Sequence, residues 1–153
     1  MAKDKDRVRM YSLNPSNGKI KQLQAKEDVI SDYSIANQAF EMVYFGLSAS
    51  NSQRLYTYNL KNDASSCLID LSKEILRDVT LGEVQDWNFV SAQGDTIYGR
   101  FYLPPHFDAT KKYPMIVNYY GGTTPTARVM ESRYPSHVYA GLGYIVYIIQ
   151  ASG

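Results

Sequence analysis

The residues best suited to take part in a reaction are two tyrosines followed by two glycines, Tyr119-Tyr120-Gly121-Gly122. They end the apolar stretch MIVNYY at residues 115–120, which is typical of a buried strand. Glycines let the backbone turn sharply and expose its N–H groups, and a tyrosine hydroxyl is a further hydrogen-bond donor. Such donors can stabilise negative charge that appears on an oxygen in a transition state. The alternative interpretation is an ordinary strand-to-helix turn with tyrosines packed on its rim.

No nucleophile can be assigned in this chain. The nearest match to Gly-x-Ser-x-Gly is GLSAS at residues 46–50, which lacks the second glycine and lies between two predicted strands rather than before a helix. We therefore predict that it is not a nucleophile elbow. His106, in a loop, and His137, in a predicted helix, are not spaced as a ligand pair, so we expect both at the surface or in packing contacts. No general acid, general base, metal site or cofactor is predicted from these residues.

Cys67 is the single cysteine, which excludes an internal disulfide and a Cys-x-x-Cys pair. As a nucleophile it would need a histidine partner and an electropositive setting. It stands in SSCLID, a predicted strand, and we expect it in the core.

Composition places the chain among globular proteins and argues against two classes of partner. Hydrophobic residues make up 44% of the 153 residues and charged residues 20%, which are ordinary values for a soluble domain. The 16 Lys and Arg against 15 Asp and Glu give a formal charge of +1, which predicts neither nucleic acid nor an anionic membrane surface as a partner. The longest apolar run, YIVYII at residues 144–149, is far shorter than the roughly 20 residues that cross a bilayer.

The first half of the chain alternates apolar and polar positions in short runs, a pattern typical of antiparallel sheet. Strands are predicted near residues 8–13, 19–23, 29–35, 41–47, 54–59 and 66–70. RMYSLN at residues 9–14 matches RLYTYN at residues 54–59, an offset of 54 − 9 = 45 residues. A period near 45 is the size of a four-stranded β-propeller blade, so residues 29–70 would form one blade and residues 8–23 the last hairpin of the blade before it. The alternative is a chance likeness between two tyrosine-bearing hairpins.

The blade hypothesis predicts that the chain is part of a longer protein. A propeller needs roughly four to eight blades to close its ring, and this chain has about one and a half by that measure. We therefore expect a slice with further blades upstream. The charged first ten residues lack the apolar core of a secretory signal, but an interior slice leaves an exported and a cytoplasmic parent equally compatible.

The pattern changes after residue 70. Residues 71–83, LSKEILRDVTLGE, predict a short helix or an extended linker at a domain boundary. Residues 84–91 and 96–104 predict a hairpin joined by a four-residue loop.

Two nearly continuous apolar runs follow, at residues 115–120 and 144–150, and they predict strands buried on both faces of a mostly parallel sheet. A short helix is predicted between them, with Pro135 near its first turn and Gly141 or Gly143 at its end. Hairpin, strand, helix and strand form the opening of an α/β sheet. Ligands of such sheets bind at the carboxyl ends of the strands, where the two tyrosines and two glycines are placed.

The order of these parts resembles the prolyl oligopeptidase family of serine peptidases, particularly its dipeptidyl peptidase IV and acylaminoacyl peptidase branches. The likeness covers nearly the whole chain, and residues 94–150 carry most of it. The motifs that carry it are Leu103-Pro104-Pro105, Lys112-Tyr113-Pro114, Tyr120-Gly121-Gly122 and Gly143-Tyr144. Two positions depart from the family pattern: Thr123 stands where many members have proline, and QASG at residues 150–153 replaces Asn-x-Arg-Gly-Ser.

The resemblance implies a mixed fold, with antiparallel β-propeller blades followed by the N-terminal part of an α/β-hydrolase sheet. It places the end of the propeller at residues 1–74, a linker at 75–83 and the hydrolase part at 84–153. In that family the tyrosine before the glycine pair lends its hydroxyl to the oxyanion hole, which implies this role for Tyr120. Gly121 and Gly122 then form the backbone of the oxyanion loop, and the catalytic serine, aspartate and histidine are expected beyond residue 153.

The implied parent is a serine peptidase that cleaves short peptides near their amino terminus through a Ser-His-Asp triad and an acyl-enzyme. The 153 residues alone are predicted to be inactive. Two alternatives stay open, a non-catalytic β-rich binding module and an esterase of the same hydrolase fold. The predicted partner is a peptide substrate, without nucleic acid, membrane or cofactor. The unpaired edge of a partial sheet predicts either aggregation or a homodimer formed by edge pairing.

Overall fold

The structure is a computed structural model that describes residues 1–122 and 126–150. It has two compact units, one formed by Met1–Arg77 with Ala127–Val129 and the other by Asp78–Thr126 with Met130–Gly153. No helix among the described residues is long and apolar enough to cross a membrane.

The first unit is built almost entirely of strands. Its elements among the described residues are β1 (Ala2–Asp4), β2 (Arg7–Arg9), β3 (Tyr11–Leu13), β4 (Ile20–Gln22), β5 (Val29–Ile35), β6 (Glu41–Ser48), β7 (Asn51–Asn59), β8 (Ala64–Asp70) and the short helix α1 (Ser72–Ile75). Six strands form one sheet in the order β1-β2-β5-β6-β7-β8, and β3 pairs with β4 separately. The run from β5 to β8 is antiparallel throughout, which confirms the four strands predicted over residues 29–70.

The strand predicted at residues 8–13 is wrong as one element, because the chain changes partners at Met10. Before this residue β2 joins the six-stranded sheet, where Val8 lies beside Val29 in a parallel pair. After it β3 pairs with β4. Met10 is buried in the core and its carbonyl accepts a hydrogen bond from the Leu23 N–H at 2.9 Å. Alternation of apolar residues reports exposure and is blind to such a change of partner.

The 45-residue similarity is reproduced in the strand pairing. Tyr11 pairs with Gln22, and Tyr56 pairs with Cys67, so both members of the pair are offset by 45 residues. The turns also correspond, because Asn14 accepts a hydrogen bond from the Ser16 N–H at 2.9 Å and its counterpart Asn59 accepts one from the Lys61 N–H at 2.9 Å. The two hairpins are therefore equivalent in register as well as in sequence.

Three tyrosines dominate the core of the first unit. Tyr44, Tyr56 and Tyr58 are buried with Met10, Ile30 and Met42, and the rings of Tyr44 and Tyr56 stack at 5.0 Å. The hydroxyl of Tyr44 accepts a hydrogen bond from the Lys26 N–H at 2.9 Å, and that of Tyr58 accepts one from the Gln24 N–H at 3.1 Å. Burial raises the pKa of Tyr44 above its ordinary value. These tyrosines bury apolar ring area, and their hydroxyls also accept hydrogen bonds from backbone N–H groups in the segment before β5.

A charged network contacts this tyrosine core through the Tyr56 hydroxyl. Glu27 has a left-handed φ of +76°, and its carboxylate accepts hydrogen bonds from the Arg54 guanidinium at 3.1 Å and from the Tyr56 hydroxyl. Arg54 also pairs with Asp70 at 2.8 Å. Burial, with a further contribution from Glu27, raises the pKa of Tyr56. Gly46 leaves the space for the stem of this side chain, because a Cβ there would lie 2.8 Å from Cγ of Glu27 and 3.0 Å from its Cβ.

The second unit has a mixed sheet. Its elements among the described residues are β9 (Val84–Asp86), β10 (Phe89–Val90), β11 (Thr96–Ile97), β12 (Gly99–Tyr102), β13 (Met115–Tyr119), α2 (Ser136–Gly141) and β14 (Ile145–Ile149). Four strands lie in the order β13-β14-β12-β9, with β13 and β14 parallel and the other pairs antiparallel. The predicted hairpin is present, but each of its strands is divided, because β10 and β11 pair with each other while β9 and β12 belong to the larger sheet.

The predicted burial of the two apolar strands is correct for β14 and wrong for β13. β14 lies between β13 and β12, and its central residues are buried. β13 is an edge strand in the described part of the sheet, and Met115, Val117 and Tyr119 are each at least half exposed. The helix α2 is confirmed: it begins after Pro135 and is followed by Gly143 at a φ of +92°.

The charged segment 71–83, predicted to be either a short helix or an extended linker, contains both. Its beginning forms the single turn of α1, and residues 79–83 have no regular structure.

Candidate functional site

The candidate oxyanion residues lie where two parallel strands end. Tyr119 is the last residue of β13 and is paired with Ile149, the last residue of β14. Tyr120 follows directly and is 60% exposed. The turn therefore begins at the carboxyl edge of a parallel strand pair, which is the edge where open α/β sheets bind ligands.

The two glycines have different surroundings. A Cβ on Gly122 would lie 2.5 Å from Cε1 of the Tyr120 ring and 3.2 Å from its hydroxyl oxygen, whereas a Cβ on Gly121 would meet no atom within 4 Å. The Tyr120 ring is thus folded back over Gly122. A side chain at position 122 would compete with the ring for the same space, so this glycine helps to determine where the tyrosine hydroxyl points.

A polar clamp, defined here as Thr126 with Gln150 and Arg100, lies beside the carboxyl end of β14. The Thr126 N–H donates to Oε1 of Gln150 at 2.7 Å, and Nε2 of Gln150 donates back to the Thr126 carbonyl at 3.0 Å. Arg100, which is 2% exposed, donates from Nη1 to the same carbonyl at 3.3 Å. Sequence reasoning missed this clamp, and the one available signal was an arginine and a glutamine within or beside strongly apolar strands.

The GLSAS segment at residues 46–50 lies in β6 and the turn into β7, between two strands as predicted. The Ser48 hydroxyl donates to the side-chain carbonyl of Asn51 and accepts from the Ser50 N–H at 3.2 Å. Gly46 accommodates Glu27. Each feature of the segment therefore has a packing or turn role.

The histidines and the cysteine are dispersed. His106 is exposed at a loop position with a φ of +56°, and His137 packs edge-on against Tyr102 with ring centroids 5.0 Å apart. Cys67 lies on β8 as predicted, but the expectation that it is buried is wrong, because β8 is the outer strand of its sheet and the thiol is exposed. Within residues 1–122 and 126–150 no group of three His, Cys, Asp or Glu residues could hold a metal ion.

Comparison with solved structures defines the class of fold. AtxE2 isopeptidase matches 97% of this chain, and 22% of its own, with a TM-score of 0.75 and 18% identity. The acylaminoacyl peptidase of Pyrococcus horikoshii matches 87% of this chain and 20% of its own, with a TM-score of 0.68 and 18% identity. The chain is folded like a segment of these peptidases.

Sequence comparison also finds peptidases. No family profile matches the chain. Dipeptidyl-peptidase 5 of Porphyromonas gingivalis is 29% identical over 138 residues, which cover 90% of this chain and 20% of that protein. Other curated relatives that match shorter stretches are also named dipeptidyl peptidases. The resemblance to the prolyl oligopeptidase family of peptidases is confirmed. The chain spans about a fifth of the length of dipeptidyl-peptidase 5.

Proposed function

We propose that the chain is part of a serine peptidase that cleaves short peptides near their amino terminus. The observation that carries the proposal is the Tyr120-Gly121-Gly122 turn at the carboxyl end of β13, with the tyrosine ring held over the second glycine. The names of the relatives, which are dipeptidyl peptidases, support a peptide substrate and cleavage near its amino terminus.

In this proposal the first unit belongs to a β-propeller. The four antiparallel strands β5 to β8 would be one blade, and the β3–β4 hairpin would be the end of the preceding blade, an interpretation that the shared register of the two hairpins supports. The second unit would be the N-terminal part of an α/β-hydrolase domain. The proposed limits are residues 1–74 for the propeller part, 75–83 for the linker and 84–153 for the hydrolase part.

The proposed chemistry assigns one step to this chain. A serine hydroxyl attacks the carbonyl carbon of the scissile bond while a histidine accepts its proton, and the carbonyl oxygen becomes an oxyanion. The Tyr120 hydroxyl donates a hydrogen bond to that oxygen, and the backbone N–H next to the serine donates another. Histidine then protonates the leaving amine, and water hydrolyses the acyl-enzyme. The triad is assigned to the parent outside these 153 residues, so the span alone is expected to be inactive.

The experiment uses the full-length parent and a matched pair of variants. Tyr120→Phe removes the proposed donor and should lower kcat on an aminoacyl-prolyl or acylaminoacyl reporter on the order of 10²-fold, the usual effect of losing one oxyanion donor. Tyr119→Phe removes the neighbouring hydroxyl, which is 70% exposed, and should leave kcat nearly unchanged. Equal effects of the two variants would contradict the assignment of Tyr120.

A fluorophosphonate probe tests the wider proposal, because it labels activated serines. One stoichiometric adduct on a serine outside the 153 residues is expected. A parent with no adduct and no peptide cleavage would instead be a non-catalytic binding module, and cleavage of acyl esters without peptides would make it an esterase.

The proposal also includes a homodimer of the 153-residue span, formed through the sheet of the second unit. β13 is an edge strand of that sheet over the described residues, and its exposed side chains are apolar. An edge of this kind can pair with the same strand of a second copy.

A further inference from the structure

We propose that an apolar face of the first unit packs against a further β-propeller blade, folded from residues of the parent that precede residue 1. This surface, the Leu55 face, is defined by Val43, Phe45, Leu55 and Ile69. The inference rests on the proposed function, in which the first unit is the end of a propeller. It names the partner of that unit: the last blade meets another blade of the same chain and so closes the ring.

The opposite face of the run β5–β8 is already covered within the first unit. Its buried side chains include Met42, Tyr44 and Tyr56, and Met10 and Leu23 pack with them. Met10 directly precedes β3 and Leu23 directly follows β4, so both flank the β3–β4 hairpin. In the proposed propeller this is the contact of one blade with the next.

The 45-residue offset shows which residues of the last blade should make the following contact. It carries Met10 onto Leu55 and Leu23 onto Leu68, both of which are again apolar. Leu68 is 56% exposed. The residues that cover a neighbouring blade are therefore repeated on β7 and β8, where the blade that they would cover is not among the described residues.

Leu55 belongs to an apolar row that crosses three strands. It pairs with Phe45 on β6 and with Ile69 on β8, and residues directly opposite each other in a sheet project from the same face. Val43, two positions before Phe45, lies on that face as well. Ile69 is 50% exposed and Val43 is 39% exposed. Val43, Phe45 and Leu55 also line a hollow of about 90 Å³, which gives the face the relief to receive side chains of a second sheet.

The partner is assigned to residues before residue 1 because the chain does not form another blade directly after β8. It forms the single turn α1 and then the second unit, whose mixed sheet contains the parallel pair β13 and β14. In the proposed parent the other blades therefore precede this chain. A closed ring covers both faces of every blade, so the Leu55 face requires the blade at the other end of the ring.

The chemistry of the partner's face follows from the contact that is already present. Met10 packs on a face built from Tyr44, Tyr56 and Tyr58, and an aromatic face of this kind also fits the Leu55 face. Contact between two such faces removes apolar area from water. A charged side chain buried against the same row would lose its hydration without gaining a partner.

The test is photo-crosslinking in the full-length parent, with p-benzoylphenylalanine in place of one residue at a time. Ile69→p-benzoylphenylalanine should form a cross-link to a peptide that precedes residue 1 in the same chain, identified by mass spectrometry. Mixing unlabelled and isotope-labelled parent separates cross-links within one chain from those between copies. Ile75 is the matched control, because it lies on α1 rather than on the sheet and is 76% exposed. Ile75→p-benzoylphenylalanine should not capture the peptide that the Ile69 variant captures.

Leu13→p-benzoylphenylalanine separates this inference from the propeller proposal. The offset carries Leu13 onto Tyr58, whose side chain packs with the residues that flank the preceding hairpin. Leu13 is 63% exposed and should capture a different peptide before residue 1, from the blade that precedes it. Capture by Leu13 but not by Ile69 would overturn this inference alone. Capture by neither would overturn the propeller assignment and the inference with it, whereas labelling of a serine by fluorophosphonate would still support the peptidase.

Cysteine labelling provides a second measurement that does not depend on a cross-link. In the folded parent, Val43→Cys should react with N-ethylmaleimide roughly tenfold more slowly than Ile75→Cys, because a residue covered by a second sheet reacts only when the contact opens. Peptide mass spectrometry measures each position separately. Equal labelling rates would overturn the inference, and so would an Ile69 cross-link to a second copy or to a peptide beyond residue 153.

Discussion

At the scale of single residues, two glycines matter because they leave room for a neighbouring side chain. Gly46 leaves space for the Cβ and Cγ of Glu27, and Gly122 leaves space for the Tyr120 ring. Neither glycine has the positive φ that would restrict the position to glycine on backbone grounds. The sequence predicts a sharp turn at Gly121 and Gly122, whereas the structure distinguishes one glycine that contacts the tyrosine from one that faces open space.

This difference predicts unequal effects of alanine at the two positions. In Gly122→Ala the new methyl group displaces the Tyr120 ring, so kcat of the full-length parent should fall about tenfold or more, by the sensitivity of a reaction to misplaced donors. Gly121→Ala adds a methyl group in open space and should cause a much smaller change. Steady-state kinetics on a peptide reporter, with melting temperatures to confirm folding, measure both. A larger loss in Gly121→Ala would show that the loop backbone, rather than the ring position, is limiting.

At the scale of elements, strand positions are largely predictable and strand partners are not. The strands near residues 41–47, 54–59 and 66–70 are confirmed, because each has a strong local pattern and pairs with its neighbour in the chain. The strands predicted at 8–13, 84–91 and 96–104 are each divided, because the chain pairs with one strand before the break and with another strand after it. Periodicity depends on exposure along the chain, and these breaks depend on contacts across the sheet.

The tyrosine core of the first unit offers a test of how its hydroxyls contribute. In Tyr44→Phe the Lys26 N–H loses its acceptor, and we expect the free energy of unfolding to fall by about 1–2 kcal/mol, the usual cost of an unsatisfied donor that is partly shielded. In Tyr58→Phe the Gln24 N–H still has an acceptor, Oδ1 of Asp63 at 3.2 Å. The free energy of unfolding should therefore fall by only about 0.5–1 kcal/mol.

Urea unfolding followed by circular dichroism measures this difference, because both substitutions leave the buried apolar area nearly unchanged. Equal losses would mean that the Asp63 contact does not replace the tyrosine hydroxyl in solution.

At the scale of the whole molecule, the division into a β-rich first half and a mixed second half follows from patterns in the sequence. The position of Tyr120 at the carboxyl end of β13 was also predictable, because it depends only on where an apolar run stops. The clamp was not, because Gln150 bonds to Thr126 across 24 residues, and a glutamine beside an apolar strand does not reveal its distant partner. The Glu27 network was not predictable for the same reason, because its ion pairs join residues 27 and 16 positions apart and depend on the folded sheet.

The two edges of the mixed sheet differ in their capacity for association. β9 is a three-residue strand, and short edges pair poorly. β13 has five residues, no partner on its outer side within the described residues, and apolar side chains that are at least half exposed at Met115, Val117 and Tyr119. The 153-residue chain expressed by itself is therefore expected to self-associate through β13.

Lysine on an edge strand opposes such pairing by charge repulsion between copies. Sedimentation velocity should show a concentration-dependent increase in mass for the 153-residue chain and a monomer for Val117→Lys. Val90→Lys, at a more exposed valine on β10, carries the same charge away from β13 and should behave like the unmodified chain. Equal dissociation by both lysines would show that net charge controls association, and a monomer without any substitution would show that the β13 edge is protected in solution. If only Val117→Lys abolishes association, the interface lies at β13. Both variants add the same charge, and only this one adds it on β13.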